Sequence, residues 1–336
     1  MDRQDNNKIV PLFTPVEIFN YSWRIQYTDA IFFLGSCFAE YIGEKFLSYL
    51  FRTYINPFGT VFNPASVASQ LSMLIEKKIL NIDDLDFFDG MWFSFDHYTA
   101  FSSPDKEICL RKINKAMQEA SAFLDSSAYI FITLGTARVY RHKEKNRIVS
   151  NCHKLPAEYF VQELLTVEQI TEILKNIFLR IDKIKRKKII LTISPIRHWK
   201  DGAHGNQISK ASLLLAVHRL VSDLDFVFYF PAYEIVMDEL RDYRYYEHDM
   251  IHINRTTIDY MWAKAMYSFF SRDTMEIMKE IYSLRLARNH NIKNIDSPKS
   301  QHFIHDTLQT IEKLKQKYPY IDFSDDYAYF SDLSRH

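Results

Sequence analysis

Residues 31–50 join a buried strand directly to an amphipathic helix, and this junction limits the possible folds most strongly. Residues 31–34 (Ile-Phe-Phe-Leu) are four consecutive apolar residues, the pattern of a short buried strand. From Phe38 onward apolar residues recur at every fourth position, as on one face of a helix. Gly35 and Ser36 stand between the two patterns, so the sequence predicts a serine at a strand-to-helix turn.

A serine at such a turn has two interpretations. The first helical turn points unpaired backbone N–H groups at the Ser36 oxygen, which favours negative charge there and would suit a nucleophile with a base in reach. Serine is also a preferred N-cap residue, and from this turn alone capping is the commoner role. The other motifs are needed to separate the two.

Strands and helices alternate through residues 31–234, which predicts an α/β fold with a parallel sheet covered by helices on both faces. Further buried strands are expected at residues 128–134, 189–193 and 226–230. Motifs with special turn chemistry follow three of the predicted strands, where a parallel sheet places its ligands. They are Gly35-Ser36, Gly135-Thr136 and Ser194-Pro195.

Other segments are less regular. Residues 87–102 are aromatic and partly alternating, which predicts a small hairpin. A loop that contains Asn151 is predicted before the helix that begins near Thr166. The chain becomes helical and charged after residue 272, so we expect an α/β domain at 1–272 and a helical C-terminal extension at 273–336, packed on or beside it.

Composition excludes several classes of partner. The 336 residues carry 42 basic and 42 acidic side chains, so the formal charge is zero and neither nucleic acid nor a membrane surface is indicated. The polar N-terminus does not resemble a signal peptide, and no apolar run is long enough to span a bilayer. Three cysteines without metal-site spacing fit a reducing compartment, so we expect a cytoplasmic protein with free thiols.

A carboxylate and an imidazole stand three residues apart at Asp249 and His252. This spacing lets them meet within one turn, where the aspartate could orient the histidine as a general base for a serine. An exposed Asp–His pair without a catalytic role is the ordinary alternative. Residues 248–252 lack a further strong metal ligand nearby, so neither a metal nor a cofactor is expected.

Seven short motifs carry a family resemblance that covers about residues 8–270. They lie at residues 35–39 (Gly-Ser-Cys-Phe-Ala), 56–64, 133–136, 151–154, 194–198, 229–234 and 249–252. These motifs resemble those of the GSCFA domain family, a branch of the SGNH/GDSL hydrolase superfamily. The resemblance implies a flavodoxin-like, SGNH hydrolase-type α/β sandwich with ester chemistry.

The resemblance also implies a catalytic triad. Carried over to this chain, it makes Ser36 the nucleophile, His252 the general base and Asp249 the residue that orients the base. The chain departs from the family at Ile253, where the family usually has proline.

An oxyanion hole is implied by the same resemblance. The superfamily uses the backbone N–H of the serine, the backbone N–H of a glycine in the second motif and an asparagine side chain in the third, so Ser36 and Gly59 fit the first two positions. Ala137 occupies the position of that asparagine, which leaves Asn151 and Thr136 as candidate replacements. Asn151 could equally form an Asx-turn.

Several polar residues would lie at the rim of the same sheet edge. Gly135, Arg197, His198 and Asn206 could bind substrate, or they could cap and hydrogen-bond a long loop. Cys37 has no feature that would activate its thiol and is interpreted as a small buried apolar residue.

The expected function is that of a serine esterase or acyl hydrolase that forms an acyl-enzyme on Ser36. Its expected partner is a small-molecule or carbohydrate-linked acyl ester. An O-acyltransferase, transferring acetyl groups for example, would use the same triad, because water and a sugar hydroxyl attack the same acyl-enzyme. A non-catalytic SGNH-like binding scaffold is the third hypothesis, since the third motif is altered.

Overall fold

Ten β-strands lie within residues 13–292 and 294–334, the part of the chain that this computed structural model describes. They are β1 (Ile31–Gly35), β2 (Thr53–Ile55), β3 (Asp86–Phe88), β4 (Met91–Phe93), β5 (Tyr129–Leu134), β6 (Arg138–His142), β7 (Arg147–Val149), β8 (Phe160–Leu164), β9 (Lys188–Ile193) and β10 (Val227–Tyr229).

Ten α-helices occur in the same described ranges. They are α1 (Cys37–Ser48), α2 (Pro64–Ile75), α3 (Lys106–Ser126), α4 (Val167–Ile184), α5 (Gly202–Asp223), α6 (Ala232–Glu234), α7 (Arg255–Phe269), α8 (Arg272–Arg288), α9 (Pro298–Lys317) and α10 (Ser324–Leu333). A π-helical turn at Ile235–Glu239 follows α6.

The central sheet has five parallel strands in the order β10-β9-β5-β1-β2. The register sets Phe33 beside Ile55 on one side and beside Phe131 on the other. Four of its strands, β1, β5, β9 and β10, are those expected from the apolar runs, and the edge strand β2 was not predicted. The predicted α/β class and the parallel sheet are confirmed.

Side chains of β1 alternate between two apolar cores, because successive residues of a strand face opposite sides of a sheet. Phe32 and Leu34 join the core under α2, α3, α4 and α5. Ile31 and Phe33 join the core under α1, α7, α8 and α9. Helices therefore cover both faces of the sheet.

Two small antiparallel sheets accompany the main one. The β3–β4 hairpin lies in the aromatic segment for which a hairpin was predicted. Strands β7-β6-β8 form a second antiparallel sheet that was not predicted, whereas Asn151 lies in a loop between β7 and β8 as expected. Their residues are mostly polar and partly exposed, because only one face of this sheet is covered, and the apolar pattern is correspondingly weak.

Charge pairs link helices α8 and α10 of the C-terminal region, and one of their arginines also reaches the α/β part. The Asp326 carboxylate is fully buried and accepts from the guanidinium groups of Arg285 and Arg288 at 2.8 and 2.7 Å. Arg285 also donates to the carbonyl of Ser48 at the end of α1 at 2.8 Å. The division at residue 272 remains a prediction.

Two further predictions concerned membrane-spanning segments and the state of the cysteines. Within the described ranges, no helix combines the length and apolar character that a bilayer crossing requires. Cys37, Cys109 and Cys152 are all free thiols.

Candidate active site

The turn between β1 and α1 is built as the sequence predicts. Gly35 has φ +142°, and a Cβ there would lie 2.2 Å from the carbonyl oxygen of Thr133, so only glycine fits. Ser36 is extended at φ −70° and ψ 175° and is the N-cap of α1. Its hydroxyl accepts from the N–H of Phe38 at 3.4 Å and is almost fully buried. The capping role is therefore present in this structure.

Ser36 also lies at the point where the order of the strands in the sheet reverses. The chain passes from β1 to β2 on one side and then crosses back to β5 on the other side of β1. In open α/β sheets, ligands bind at such a switch, outside the carboxyl ends of the strands. Ser36 and Gly135 follow the two strands that flank this switch.

Asn56 supports the serine turn and was missed by the sequence reasoning. Its side-chain oxygen accepts from the N–H of Gly35 at 2.8 Å, and its side-chain nitrogen donates to Glu40 at 3.0 Å. Asn56 has φ +41°, a conformation that asparagine tolerates better than most residues. The Asn-Pro pair directly after a short strand was the available signal.

Asp249 and His252 are brought together as expected. The His252 Nδ1 and Asp249 Oδ2 atoms are 2.6 Å apart, and the other carboxylate oxygen accepts from the N–H groups of Ile251 and His252 at 2.8 and 2.9 Å. The ring hydrogen bond and then these N–H groups lower the pKa of Asp249 to about 2. The carboxylate therefore stays ionised beside the imidazole at neutral pH.

The Asp–His loop and the first turn of α1 contribute side chains to the same apolar core. Ile251, Ile253 and Cys37 contribute to one apolar cluster, which also contains Phe38. His252 Nε2 has no hydrogen-bond partner in the described ranges, and none of the hydrogen bonds there joins His252 to Ser36. Direct contact between these two catalytic candidates remains a prediction.

Arg197 holds the Asp–His loop. Its Nε donates to the carbonyl of Met250 at 3.1 Å, and a second guanidinium nitrogen donates to the same oxygen. The guanidinium also lies over the rings of Trp199 and Tyr246, at 4.7 and 5.3 Å from their centroids. Arg197 therefore positions the loop. Of the two roles considered for this residue, hydrogen-bonding a loop is the one that the structure shows.

The two expected backbone donors of the oxyanion hole are already engaged, and so is the N–H of Thr136. The N–H of Ser36 donates to the carbonyl of Thr133 at 3.1 Å, and that of Gly59 closes a turn on Asn56 at 2.9 Å. The N–H of Thr136 donates to Phe62 at 2.9 Å. The assignments of the Ser36 and Gly59 N–H groups need correction for this conformation, because both groups donate to backbone carbonyls.

The side-chain replacements are engaged as well. Asn151 Oδ1 accepts from the N–H of His153 at 2.8 Å, which is the Asx-turn alternative. The Thr136 hydroxyl shares a 3.0 Å hydrogen bond with Ser209 and accepts from the N–H of Arg138 at 3.1 Å. Neither side chain is hydrogen-bonded to Ser36 in the part of the chain described.

Comparison of the chain with models of known protein families agrees with the resemblance seen in the motifs. The model of the GSCFA family matches residues 30–264, which include the serine turn and the Asp–His loop. The chain belongs to the GSCFA family. The model of the GSCFA domain protein C-terminal domain matches residues 281–333, within the region of helices α8 to α10. No curated protein and no solved structure matches the chain.

Gly135, His198 and Asn206 pack together at the rim of the GSCFA domain. The N–H of Gly135 donates to Phe62 at 2.7 Å, and a Cβ at Gly135 would lie 3.0 Å from His198 Nε2. The N–H of His198 donates to Asn206 Oδ1 at 3.0 Å. Burial, and then the positive charge of Lys210, lowers the pKa of His198 to about 4, so its ring is neutral at pH 7.

A buried lysine fastens two strand ends beneath this rim. Lys210 Nζ donates to the carbonyls of Gly135, Ser194 and Ile196 at 2.6, 2.7 and 3.1 Å. Burial lowers the pKa of its amine to about 7. Lys210 therefore links the segment after β5 to the segment after β9 through these hydrogen bonds. Among the described residues, no group of three or more His, Cys, Asp or Glu side chains could hold a metal ion.

Proposed function

We propose that this GSCFA protein is an SGNH-type serine hydrolase that cleaves an acyl ester through an acyl-enzyme on Ser36. The observation that carries the proposal is the Asp249–His252 hydrogen bond of 2.6 Å, with His252 Nε2 unpaired in the described chain. An oriented imidazole with one free nitrogen is what a serine nucleophile requires of its base. Ile251 and Ile253 of the loop that presents it belong to the same apolar core as α1, the helix capped by Ser36.

The strand order supports the superfamily assignment. Counted along the chain, the five parallel strands lie in the order 2-1-3-4-5 across the sheet. This is the order of flavodoxin-like doubly wound sheets, which the SGNH-type sandwich is expected to share. The proposed nucleophile then follows strand 1, at the switch where such sheets bind ligands.

The proposed reaction has two acyl transfers. Ser36 Oγ attacks the acyl carbonyl while His252 Nε2 takes its proton, and the alcohol then leaves with that proton. Water next attacks the acyl-enzyme and loses a proton to His252. The acyl–Oγ bond then breaks, His252 returns the proton to Ser36 Oγ, and the acid is released. The ionised Asp249 stabilises the imidazolium that forms in each step.

Cys37 supplies the oxyanion donor in this proposal. It is the first residue of α1, and its N–H donates to no carbonyl within the described ranges. The first N–H groups of a helix favour developing negative charge, and the N–H after a nucleophile is a recurring oxyanion donor. Cys37 would therefore replace the engaged donors of Ser36 and Gly59.

A non-catalytic binding scaffold is the second candidate. Its supporting observation is that Ser36 is only 2% exposed and caps a helix, while the expected backbone donors are bonded to carbonyls. Hydrogen bonds in unliganded active sites are often long and tighten with substrate, which is why the hydrolase remains the first proposal.

Labelling with a fluorophosphonate probe tests the proposal. The native protein should be labelled at Ser36, and Ser36→Ala should abolish labelling. Ser48→Ala is the matched control, because Ser48 lies at the other end of α1 and donates to the carbonyl of Lys45. Absence of labelling on folded wild-type protein would favour the scaffold.

A further inference from the structure

A cavity of about 360 Å³ opens beside the Asp–His loop, and its lining includes none of Ser36, Asp249 and His252. It lies between the first turn of α5 and the segment 236–246. Its volume falls within the range of about 300–1,000 Å³ that is usual for small-molecule sites. The side chains that matter here are Trp199, Asn206, Gln207, Arg241 and Tyr243.

This cavity adjoins a second one that reaches Asp249 of the proposed catalytic pair. The second cavity has a volume of about 480 Å³ and is lined by Asp249. Both cavities share Arg197, Trp199 and Tyr243 as a wall. A ligand in the first cavity can therefore extend along this wall toward Asp249.

The shared wall offers broad apolar surfaces. Trp199 is 48% exposed and Tyr243 is 63% exposed, so much of both rings is open to a ligand. Arg197 lies between them, 4.7 Å from the ring centroid of Trp199 and 5.6 Å from that of Tyr243, which restricts both rings. Exposed, restricted aromatic rings suit the apolar face of a sugar.

The polar groups of the cavity are mainly donors. Arg241 forms no ion pair or hydrogen bond with any residue that the structure describes. Asn206 is only 3% exposed and uses its oxygen for His198, and Gln207 uses its oxygen for Tyr233. The side-chain nitrogens of both amides lack partners in the described ranges.

The one carboxylate at the cavity is already neutralised. Asp242 pairs with the guanidinium of Arg244 at 2.9 Å, which leaves the charge of Arg241 uncompensated. The cavity therefore presents one free guanidinium and two amide donors to a ligand. Such a set complements a ligand rich in oxygen atoms that carries a negative charge.

We propose that this cavity binds a sugar unit carrying a carboxylate, as the alcohol part of the ester cleaved at Ser36. This assignment rests on the proposed hydrolase for its link to Ser36, but the binding itself does not depend on turnover. A carboxylate fits because a guanidinium fork pairs with it through two parallel hydrogen bonds. The ring stacks on Trp199 and Tyr243, and its hydroxyls accept from Asn206 and Gln207.

Calorimetric titration with matched sugars tests the proposal on full-length protein. A trimer of galacturonic acid should bind at least about tenfold more tightly than a trimer of galactose, and the difference should shrink at high salt. Arg241→Ala should abolish this preference by weakening the acidic trimer alone. Trp199→Ala should weaken binding of both trimers, because stacking does not depend on charge.

Arg219→Ala is the matched control. Arg219 is an exposed arginine on the same helix as Gln207, about 18 Å further along its axis, and pairs with Glu168. The Arg219→Ala variant should bind both trimers as tightly as the wild type. Equal affinity for the two trimers, or no binding of either, would overturn the proposal, as would tighter binding of galactose 6-phosphate than of galacturonate.

The same titration on Ser36→Ala separates this proposal from the proposed reaction. The acidic trimer carries no acyl group, so its affinity should not change when the nucleophile is removed. Binding without fluorophosphonate labelling would support the sugar site and refute the hydrolase. Labelling without binding would refute the sugar site alone.

Discussion

Asp249 holds the His252 imidazole through a hydrogen bond of 2.6 Å between Oδ2 and Nδ1, and two backbone N–H groups fix the same carboxylate. This arrangement sets the ring tautomer and turns Nε2 away from the aspartate. A base oriented in this way acts together with its nucleophile, so the effects of removing either should be similar.

Removing members of the triad should therefore give a defined pattern. On an ester that the wild type hydrolyses, Ser36→Ala and His252→Ala should each abolish acyl-enzyme formation, whereas Asp249→Ala should do less damage. Burst kinetics would measure the acylation step. Near-normal acylation by His252→Ala would show that another base acts, and His198, which is neutral at pH 7, would be tested next.

The proposed oxyanion donor can be removed without disturbing the helix. Proline is favoured at the first position of a helix and lacks an N–H, and the extended conformation of Ser36 suits a following proline. Cys37→Pro should reduce turnover about a hundredfold or more. Cys37→Ala keeps the N–H and should remain close to wild type. Equal activity of the two variants would exclude this N–H as the donor.

Asn56 should matter for both stability and the nucleophile. Asn56→Ala leaves the N–H of Gly35 and the carboxylate of Glu40 without this partner, and should lower the free energy of unfolding by about 2 kcal/mol. It should also slow labelling of Ser36. Asn63→Ala, which removes the N-cap of α2, should cost about 1 kcal/mol and leave the labelling rate unchanged. Urea unfolding and labelling rates would measure both effects.

His97 should make the protein less stable in mild acid. Burial lowers the pKa of its imidazole to about 4, so the folded state keeps it neutral while the unfolded state takes up a proton below about pH 6.5. Stability from this residue is thus lost as the pH falls from about 6.5 toward 4. Between about pH 7 and pH 5 the loss should be about 2 kcal/mol.

Urea unfolding of His97→Gln at the two pH values isolates this contribution. The variant should lose about 2 kcal/mol less than the wild type over that interval. His302→Gln on α9 is the control, because His302 is exposed, and it should lose as much as the wild type. An unchanged loss in His97→Gln would contradict the assignment.

Patterns within a short stretch were sufficient for much of the fold. The apolar run of β1, the four-residue period of α1 and the glycine between them predicted the serine turn, because each depends on neighbours in the chain. The capping box of Thr166 and Gln169 at the start of α4 is equally local. The Asp249–His252 pair was predictable because three residues already place the two side chains within reach.

The sequence by itself thus determined the parallel sheet, the serine at its edge, the Asp–His pair and the GSCFA family. Only the tertiary structure decided which polar groups are free. The N–H groups of Ser36 and Thr136 donate to the carbonyl oxygens of Thr133 and Phe62, respectively, and each pair is far apart along the chain. Buried polar groups in a folded protein almost always form hydrogen bonds. Their partners here come from distant segments that pack together, so the spacing of residues along the chain does not predict them.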